Sequence, residues 1–275
     1  MPALLLKGAE VGKRLLEHLK EDVEAEKKRR GAAPLLLLIQ IGSNAAADNY
    51  SKSIHRVVSE TGAAVRDCKI PAEADQKTAS RDIHKAASAP DVTGALLLSP
   101  VPSALNPTRL AAAIPPERDV EGAERNVSLA VFPPTALSIL ELVLASGVPL
   151  EGAEAVVIGR SRRVGRPVAE LLLGRNATVT ICHSKTRDLA FHVRRADIVV
   201  AAAGKPGLVK GEWIKAGAVV IDAGENVVGG KLVGDVEFDR AAERAGFITP
   251  VPSGVGPLTT VMLVRNLIEL STTHP

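Results

Sequence analysis

The chain has 275 residues, 46% apolar and 24% charged, a globular balance that excludes a disordered or fibrous protein. Lys and Arg number 34 against 31 Asp and Glu, giving +3, and only Lys27-Lys28-Arg29-Arg30 forms a basic run. One Trp, one Tyr and four Phe leave little for base stacking, so no nucleic-acid partner is expected. Apolar runs such as Pro34 to Ile39 and Ala155 to Ile158 fall far short of the roughly 20 residues of a bilayer span, so no membrane segment is expected. Met1-Pro-Ala-Leu-Leu-Leu-Lys7 lacks a basic stretch and a small-residue cleavage site, so no secretory signal is expected either. Cys68 and Cys182 are too few and too isolated for a disulfide framework or a thiolate metal site, which fits a reducing cytoplasm. No metal is expected.

In chain order, amphipathic helical stretches alternate with short continuous apolar runs, the pattern of parallel strands covered on both faces by helices. The fold class is therefore α/β. The first series is a helix over Val11–Arg30, a strand Leu35–Ile41, a helix Asp48–Glu60, a strand Ala63–Lys69, a helix Asp75–Ser88 and a strand Gly94–Leu98. The basic tetrad closes the first helix, where cations complement the negative end of the dipole. Proline-rich punctuation follows at Pro100 to Ser103, Pro115-Pro116 and Pro133-Pro134, and a domain boundary is placed there. A helix over Thr135–Ser146 leads into strand Ala155–Ile158, helix Pro167–Leu173, strand Thr178–Ile181, helix Thr186–Arg194 and strands Ile198–Ala202 and Val219–Ala223, with Thr259–Leu270 as a closing helix.

Strand Ala155–Ile158 runs into Gly159-Arg160-Ser161-Arg162-Arg163-Val164-Gly165-Arg166-Pro167, a glycine turn opening a helix. Such a turn brings backbone N–H groups to a pyrophosphate at the positive end of the helix. The match to G-x-G-x-x-G is imperfect, with Ser161 at the second glycine and Gly165 one residue late, and a packing pair of glycines is the alternative. About 20 residues on, where an NAD protein carries an acid for the ribose 2′-hydroxyl, the strand ends in His183-Ser184-Lys185-Thr186 with no acid. Ser184 and Lys185, with Arg160, Arg162 and Arg163, suit a 2′-phosphate, so NADP is favoured over NAD. The alternative is that the arginines only solvate a loop. A lone His183 at a strand end reads as a satisfied polar residue.

The residues from Gly152 to Leu270 resemble the methylenetetrahydrofolate dehydrogenase/cyclohydrolase family. The resemblance rests on the Gly159 to Gly165 loop, Cys182-His-Ser-Lys-Thr186, Gly211-Glu-Trp-Ile-Lys215, Val233-Gly-Asp-Val236 and Ile248-Thr-Pro-Val-Pro-Ser-Gly-Val-Gly-Pro257. It extends into the first half through Ile41–Gly62, Gly94–Pro102 and Arg118–Gly122. It implies two α/β domains around a cleft: residues 1–121 as the folate-binding domain and 122–275 as a Rossmann-type NAD(P)-binding domain, with helix 259–270 packing back onto the first. It further implies a homodimer acting on a reduced folate. Tyr50 then stands at the folate-stacking tyrosine, and Tyr50 and Glu121 are the candidate catalytic residues. Gly159, Arg160, Ser161, Gly165, Ser184, Lys185, Gly224 and Glu225 are the candidate cofactor residues, and Trp213 is read as packing.

Departures from the family gather on the substrate side. The family's water-activating lysine and its glutamine partner fall at Ile54 and Leu98, both apolar here. Ala47 replaces a serine, Glu121 an aspartate and Ser253 a glycine, and Pro133 to Ser138 departs from Pro-Cys-Thr-Pro-x-Gly. Lys52 lies two residues from Tyr50, about 200° round a helix, and cannot substitute for the lysine. The expectation is an NADP-dependent dehydrogenase of one-carbon metabolism whose cyclohydrolase step is weak or absent. The alternatives are a divergent member with a changed substrate or a non-catalytic NADP-binding role, and a conventional bifunctional enzyme using another base.

Overall fold

The structure is a computed structural model, and it describes residues 2–122 and 131–273. In chain order the elements are β1 (Leu4–Leu5), α1 (Gly8–Arg30), β2 (Leu35–Ile41), α2 (Ala45–Thr61), β3 (Ala64–Ile70), α3 (Gln76–Ala87), β4 (Gly94–Leu97) and α4 (Pro107–Ala111). Then follow α5 (Pro134–Ala145), β5 (Glu154–Ile158), α6 (Gly165–Leu173), β6 (Thr178–Cys182), α7 (Leu189–Arg195), β7 (Ile198–Ala201) and β8 (Val219–Asp222). The hairpin strands β9 (Asn226–Val228) and β10 (Lys231–Val233), α8 (Phe238–Ala242), β11 (Phe247–Ile248) and α9 (Gly256–Thr273) complete the chain.

Contacts divide these elements into two α/β units. The first unit holds Met1–Arg14 and Pro134–Thr259; the second holds Leu15–Pro133 and Thr260–Pro275. The division differs from the expected 1–121 and 122–275 because β1, two residues long and invisible to periodicity, pairs parallel with β11. The first unit is built on a parallel six-stranded sheet ordered β1-β11-β8-β7-β5-β6. Its central strands β7 and β8 are wholly buried, as continuous apolar runs between helices should be. Val156, Ile158, Val199 and Val220 pack with Val193 and Ile214 in its core, and Trp213 packs against that cluster.

The second unit is built on three parallel strands ordered β3-β2-β4. Leu37, Ile39 and Ile41 of β2 pack with Ile83 and Ala87 of α3. The end of α9 belongs to this unit: Asn266 Nδ2 donates to the carbonyls of Val120 and Phe132, both at 2.8 Å. Glu26 of α1 accepts from Arg29 and from the Ser271 hydroxyl at 2.6 Å, and Arg29 also donates to the Ser271 carbonyl at 2.6 Å. The basic tetrad forms the last turn of α1, as the dipole argument expects, and its Arg29 and Arg30 fasten that end to α9.

Several starts were mislocated by capping chemistry. Asn44, not a residue near Asp48, caps α2 by accepting from Ala46 and Ala47. Asp188 caps α7 by accepting from Phe191, so that helix starts after Thr186. Ser253, where the resembled family has glycine, sits at φ +87°. That left-handed conformation costs a non-glycine residue about 1–2 kcal/mol, partly offset by the larger chain entropy glycine brings to the unfolded state. Ser253→Gly should therefore stabilise the protein by about 0.5–1 kcal/mol net in urea unfolding, and any loss of stability contradicts the strain.

Candidate functional site

In the first unit, β5, β6 and β7 run side by side with Ile158 level with Cys182 on one flank and Ala201 on the other. The chain leaves β5 for β6 on one side and, through α7, reaches β7 on the other. The carboxyl end of β5 is thus a topological switch point, where open α/β sheets bind ligands. A cleft of about 540 Å³ opens there, lined by Gly159, Arg160 and Ser161 after β5, by His183, Ser184 and Thr186 after β6, and by Ala202, Ala203 and Lys205 after β7.

The turn after β5 is as tight as its glycines require. Gly159 has φ +128°, and a Cβ there would run into the Ala202 carbonyl; a Cβ at Gly165 would run into the Gly159 carbonyl. Backbone therefore passes backbone at both positions, leaving peptide groups, not side chains, at the cleft wall. Ser161 does more than stand in for a glycine. Its hydroxyl accepts from the N–H groups of Val164 at 3.1 Å and Gly165 at 3.4 Å, satisfying donors at the start of α6. After β6, Thr186 Oγ1 accepts from the His183 N–H at 2.9 Å and the Thr186 N–H donates back to the His183 carbonyl at 2.8 Å. His183 Nδ1 accepts from the Lys185 N–H at 3.1 Å, so the histidine shapes the loop that carries Ser184 and Lys185.

Of the sequence-derived cofactor candidates, Gly159, Arg160, Ser161 and Ser184 line this cleft together. Lys185 is the exposed neighbour of Ser184 and is not among the lining residues, and Gly165 lies buried at the start of α6. Gly224 is buried after β8, where a Cβ would collide with the Asp235 carboxylate; Glu225 is exposed, its carboxylate near Gly256 at the start of α9. Sequence reasoning missed Lys205 and Thr186 as cleft residues, though the notable signal, a Thr four residues past the strand end, was in the quoted motif. It also missed the acids beneath the cleft, Asp222 and Asp235, which are 4% and 0% exposed.

In the second unit, Ala47, Tyr50 and Ile54 fall at i, i+3 and i+7 on α2 and so share one helix face. Tyr50 is half-buried, whereas Ala47 and Ile54 are fully buried. Leu98 directly follows β4, donates its N–H to Ile39 at 2.8 Å and is buried. Lys52 is exposed. Gln40 of β2 donates to Asp48 of α2 at 2.8 Å, tying strand to helix. Glu121 is half-buried, and its N–H donates to Asp119 at 2.9 Å. Among the described residues no cluster of His, Cys, Asp and Glu could hold a metal ion, and no helix is long and apolar enough to cross a membrane.

Two family models match: the tetrahydrofolate dehydrogenase/cyclohydrolase catalytic domain over residues 6–121 and its NAD(P)-binding domain over residues 133–274. The bifunctional protein FolD of Roseiflexus sp. is 43% identical over 98% of this chain and 96% of its own length. That of Moorella thermoacetica is 42% identical over 98% of this chain and 99% of its own. Among solved structures, the bifunctional FolD of Campylobacter jejuni superposes with a TM-score of 0.91 at 33% identity, covering 99% of this chain and 100% of that one. The Trypanosoma brucei enzyme, solved with NADP and an inhibitor, gives 0.89 at 36% identity, covering 99% and 98%.

The buried acids beneath the cleft make a pH prediction. Burial pushes the Asp222 carboxyl up to about 6, with Asp235 adding to the rise, although N–H bonds from Asp235, Gly224 and Val236 favour its charged form. The folded protein thus holds this proton more tightly than the unfolded chain, so the stabilisation is complete below the unfolded value near 3.8 and lost as pH rises through about 6. Between pH 7 and pH 5 the wild type should gain on the order of 1 kcal/mol relative to Asp222→Asn in urea unfolding. Parallel pH profiles for the two proteins would contradict it.

Proposed function

Because the chain belongs to the tetrahydrofolate dehydrogenase/cyclohydrolase family, we propose that it is an NADP-dependent methylenetetrahydrofolate dehydrogenase whose cyclohydrolase step is weak or absent. In this reading it oxidises 5,10-methylenetetrahydrofolate to the methenyl compound, as a cytoplasmic homodimer. The cofactor fits the cleft of the first unit by size and chemistry: glycines that bring bare backbone to the wall, hydroxyls at Ser161 and Ser184, and cations at Arg160 and Lys205. NADP, when bound, supplies the hydride acceptor.

The chain's own residues do the holding. Arg160, Ser184 and Lys185 meet the 2′-phosphate; Gly159, Ser161 and Gly165 form the turn under the pyrophosphate; Gly224 and Glu225 border the cofactor at the end of β8. Tyr50 offers a flat face to the pterin or benzoyl ring. Glu121 accepts from the aminopyrimidine with a longer arm than the family's aspartate. Hydride departure is driven by the folate nitrogens and asks the protein chiefly for positioning. Hydration asks for a proton acceptor.

The observation that carries the restriction to oxidation is the pair Ile54 and Leu98. Both are fully buried hydrocarbon where the family has a lysine and its glutamine, and neither can take or hold a proton. Loss of both partners together avoids leaving one buried polar group unmatched. A second reading, conventional bifunctional activity with another base, draws on the bifunctional names of relatives 42–43% identical to this chain.

NADP+ should bind at least about tenfold more tightly than NAD+, roughly 1.4 kcal/mol, in calorimetric titration. Arg160→Ala should remove most of that difference; equal weakening of both coenzymes would instead make Arg160 a loop or pyrophosphate residue. The absorbance of methenyltetrahydrofolate should decay no faster with the protein than in buffer, since loss of a general base costs about 10²–10⁴ in rate. Ile54→Lys with Leu98→Gln should restore measurable hydrolysis, whereas Ile54→Lys alone should do little, its ammonium being buried without a partner. Enzyme-dependent decay in the wild type would favour the bifunctional reading.

A further inference from the structure

Asp235 has no solvent exposure, yet it serves an exposed part of the cleft wall. Its Oδ2 accepts the N–H groups of Ala203 at 2.6 Å and Gly204 at 2.9 Å, and its Oδ1 accepts the N–H of Lys205 at 2.7 Å. Three consecutive peptide groups of the loop after β7 thus converge on one buried carboxylate, while the residues that carry them are exposed. Asn226 Nδ2 fills Oδ1 at 2.9 Å. No salt bridge to Asp235 is found among the described residues; four N–H dipoles surround its charge instead.

The acid is itself seated. Asp222, at the end of β8, accepts from the Asp235 N–H at 3.0 Å and from the Val236 N–H at 2.9 Å, fixing the backbone on which the Asp235 side chain stands. Gly224 and Gly234 leave the room the two carboxylates occupy, since a Cβ at either would strike one of them. The whole arrangement ends at Ala203 and Lys205, which line the cleft.

We propose that Asp235 is the positioning residue of the coenzyme site, holding the Ala203–Lys205 loop in its binding shape before any ligand arrives. The inference rests on the coenzyme reading of that cleft. It also states what the loop can offer. With all three N–H groups committed to Asp235, the peptide groups there present only carbonyl acceptors, and the one positive group is the Lys205 ammonium. A preformed loop avoids the ordering cost that binding would otherwise carry.

The test uses the whole 275-residue chain and NADP+ as the probe. In Asp235→Asn, where an amide NH₂ replaces one acceptor oxygen, the KM for NADP+ should rise by about tenfold or more. The KM for methylenetetrahydrofolate should stay within about twofold and kcat at saturation within about threefold. A merely structural role would lower kcat through loss of folded protein and leave the NADP+ KM unchanged, and that result overturns the proposal. Amide hydrogen exchange of the wild type without coenzyme supplies a measurement that does not depend on the variant folding. The N–H groups of Ala203, Gly204 and Lys205 should exchange about a hundredfold or more slowly than in an unstructured peptide. Rapid exchange that slows only on adding NADP+ would mean that the ligand orders the loop, and the proposal fails. A wild type that binds no NADP+ removes the coenzyme reading and this inference with it, whereas NADP+ bound equally well by wild type and Asp235→Asn removes this inference alone.

Discussion

The first unit depends on a near-collision of backbones. Gly159 and Ala202 leave neighbouring parallel strands at the same level, and Gly165 returns over Gly159 as α6 begins. Three chain segments meet where any side chain would separate them. The cleft exists because they can close to peptide contact, and its walls are peptide groups and short hydroxyls for the same reason. The twin carboxylates of Asp222 and Asp235 extend that economy of space, each lying where a glycine has withdrawn its side chain.

The second unit tells a different story at the same level of detail. Ala47, Tyr50 and Ile54 keep the spacing of one helix face, and Asn44 and Gly62 still cap the helix that presents it. On that face Ile54 is buried hydrocarbon, and so is Leu98 after β4. Leu98 and Ile54 bury without needing hydrogen-bonding partners.

The parallel α/β class was legible because Leu35–Ile39, Ala155–Ile158 and Ile198–Ala202 are continuous apolar runs, and only strands covered on both faces need them. The glycine turn was legible because close approach restricts residue choice. The shortest strands were not: Leu4–Leu5 and Phe247–Ile248 are two residues each, too few for any period, and their pairing joins the chain's beginning to a segment over 240 residues away. Asp235 was quoted within a motif without a role, because its partners at 203–205 lie thirty residues distant and meet it only through the sheet. Residues 123–130, part of the expected loop before Pro133, lie outside the described residues.

The second unit takes its final helix from the far end of the chain. Strand β4 carries Gly94, over which Leu267 and Leu270 of α9 lie so closely that a Cβ would strike Leu267. During synthesis the first 133 residues emerge with that apolar face uncovered, and it stays uncovered while the whole of the other unit is made. The order of translation therefore lets the glycine-turn unit finish first, and leaves the Tyr50 unit to close its core only when the last residues of the chain arrive.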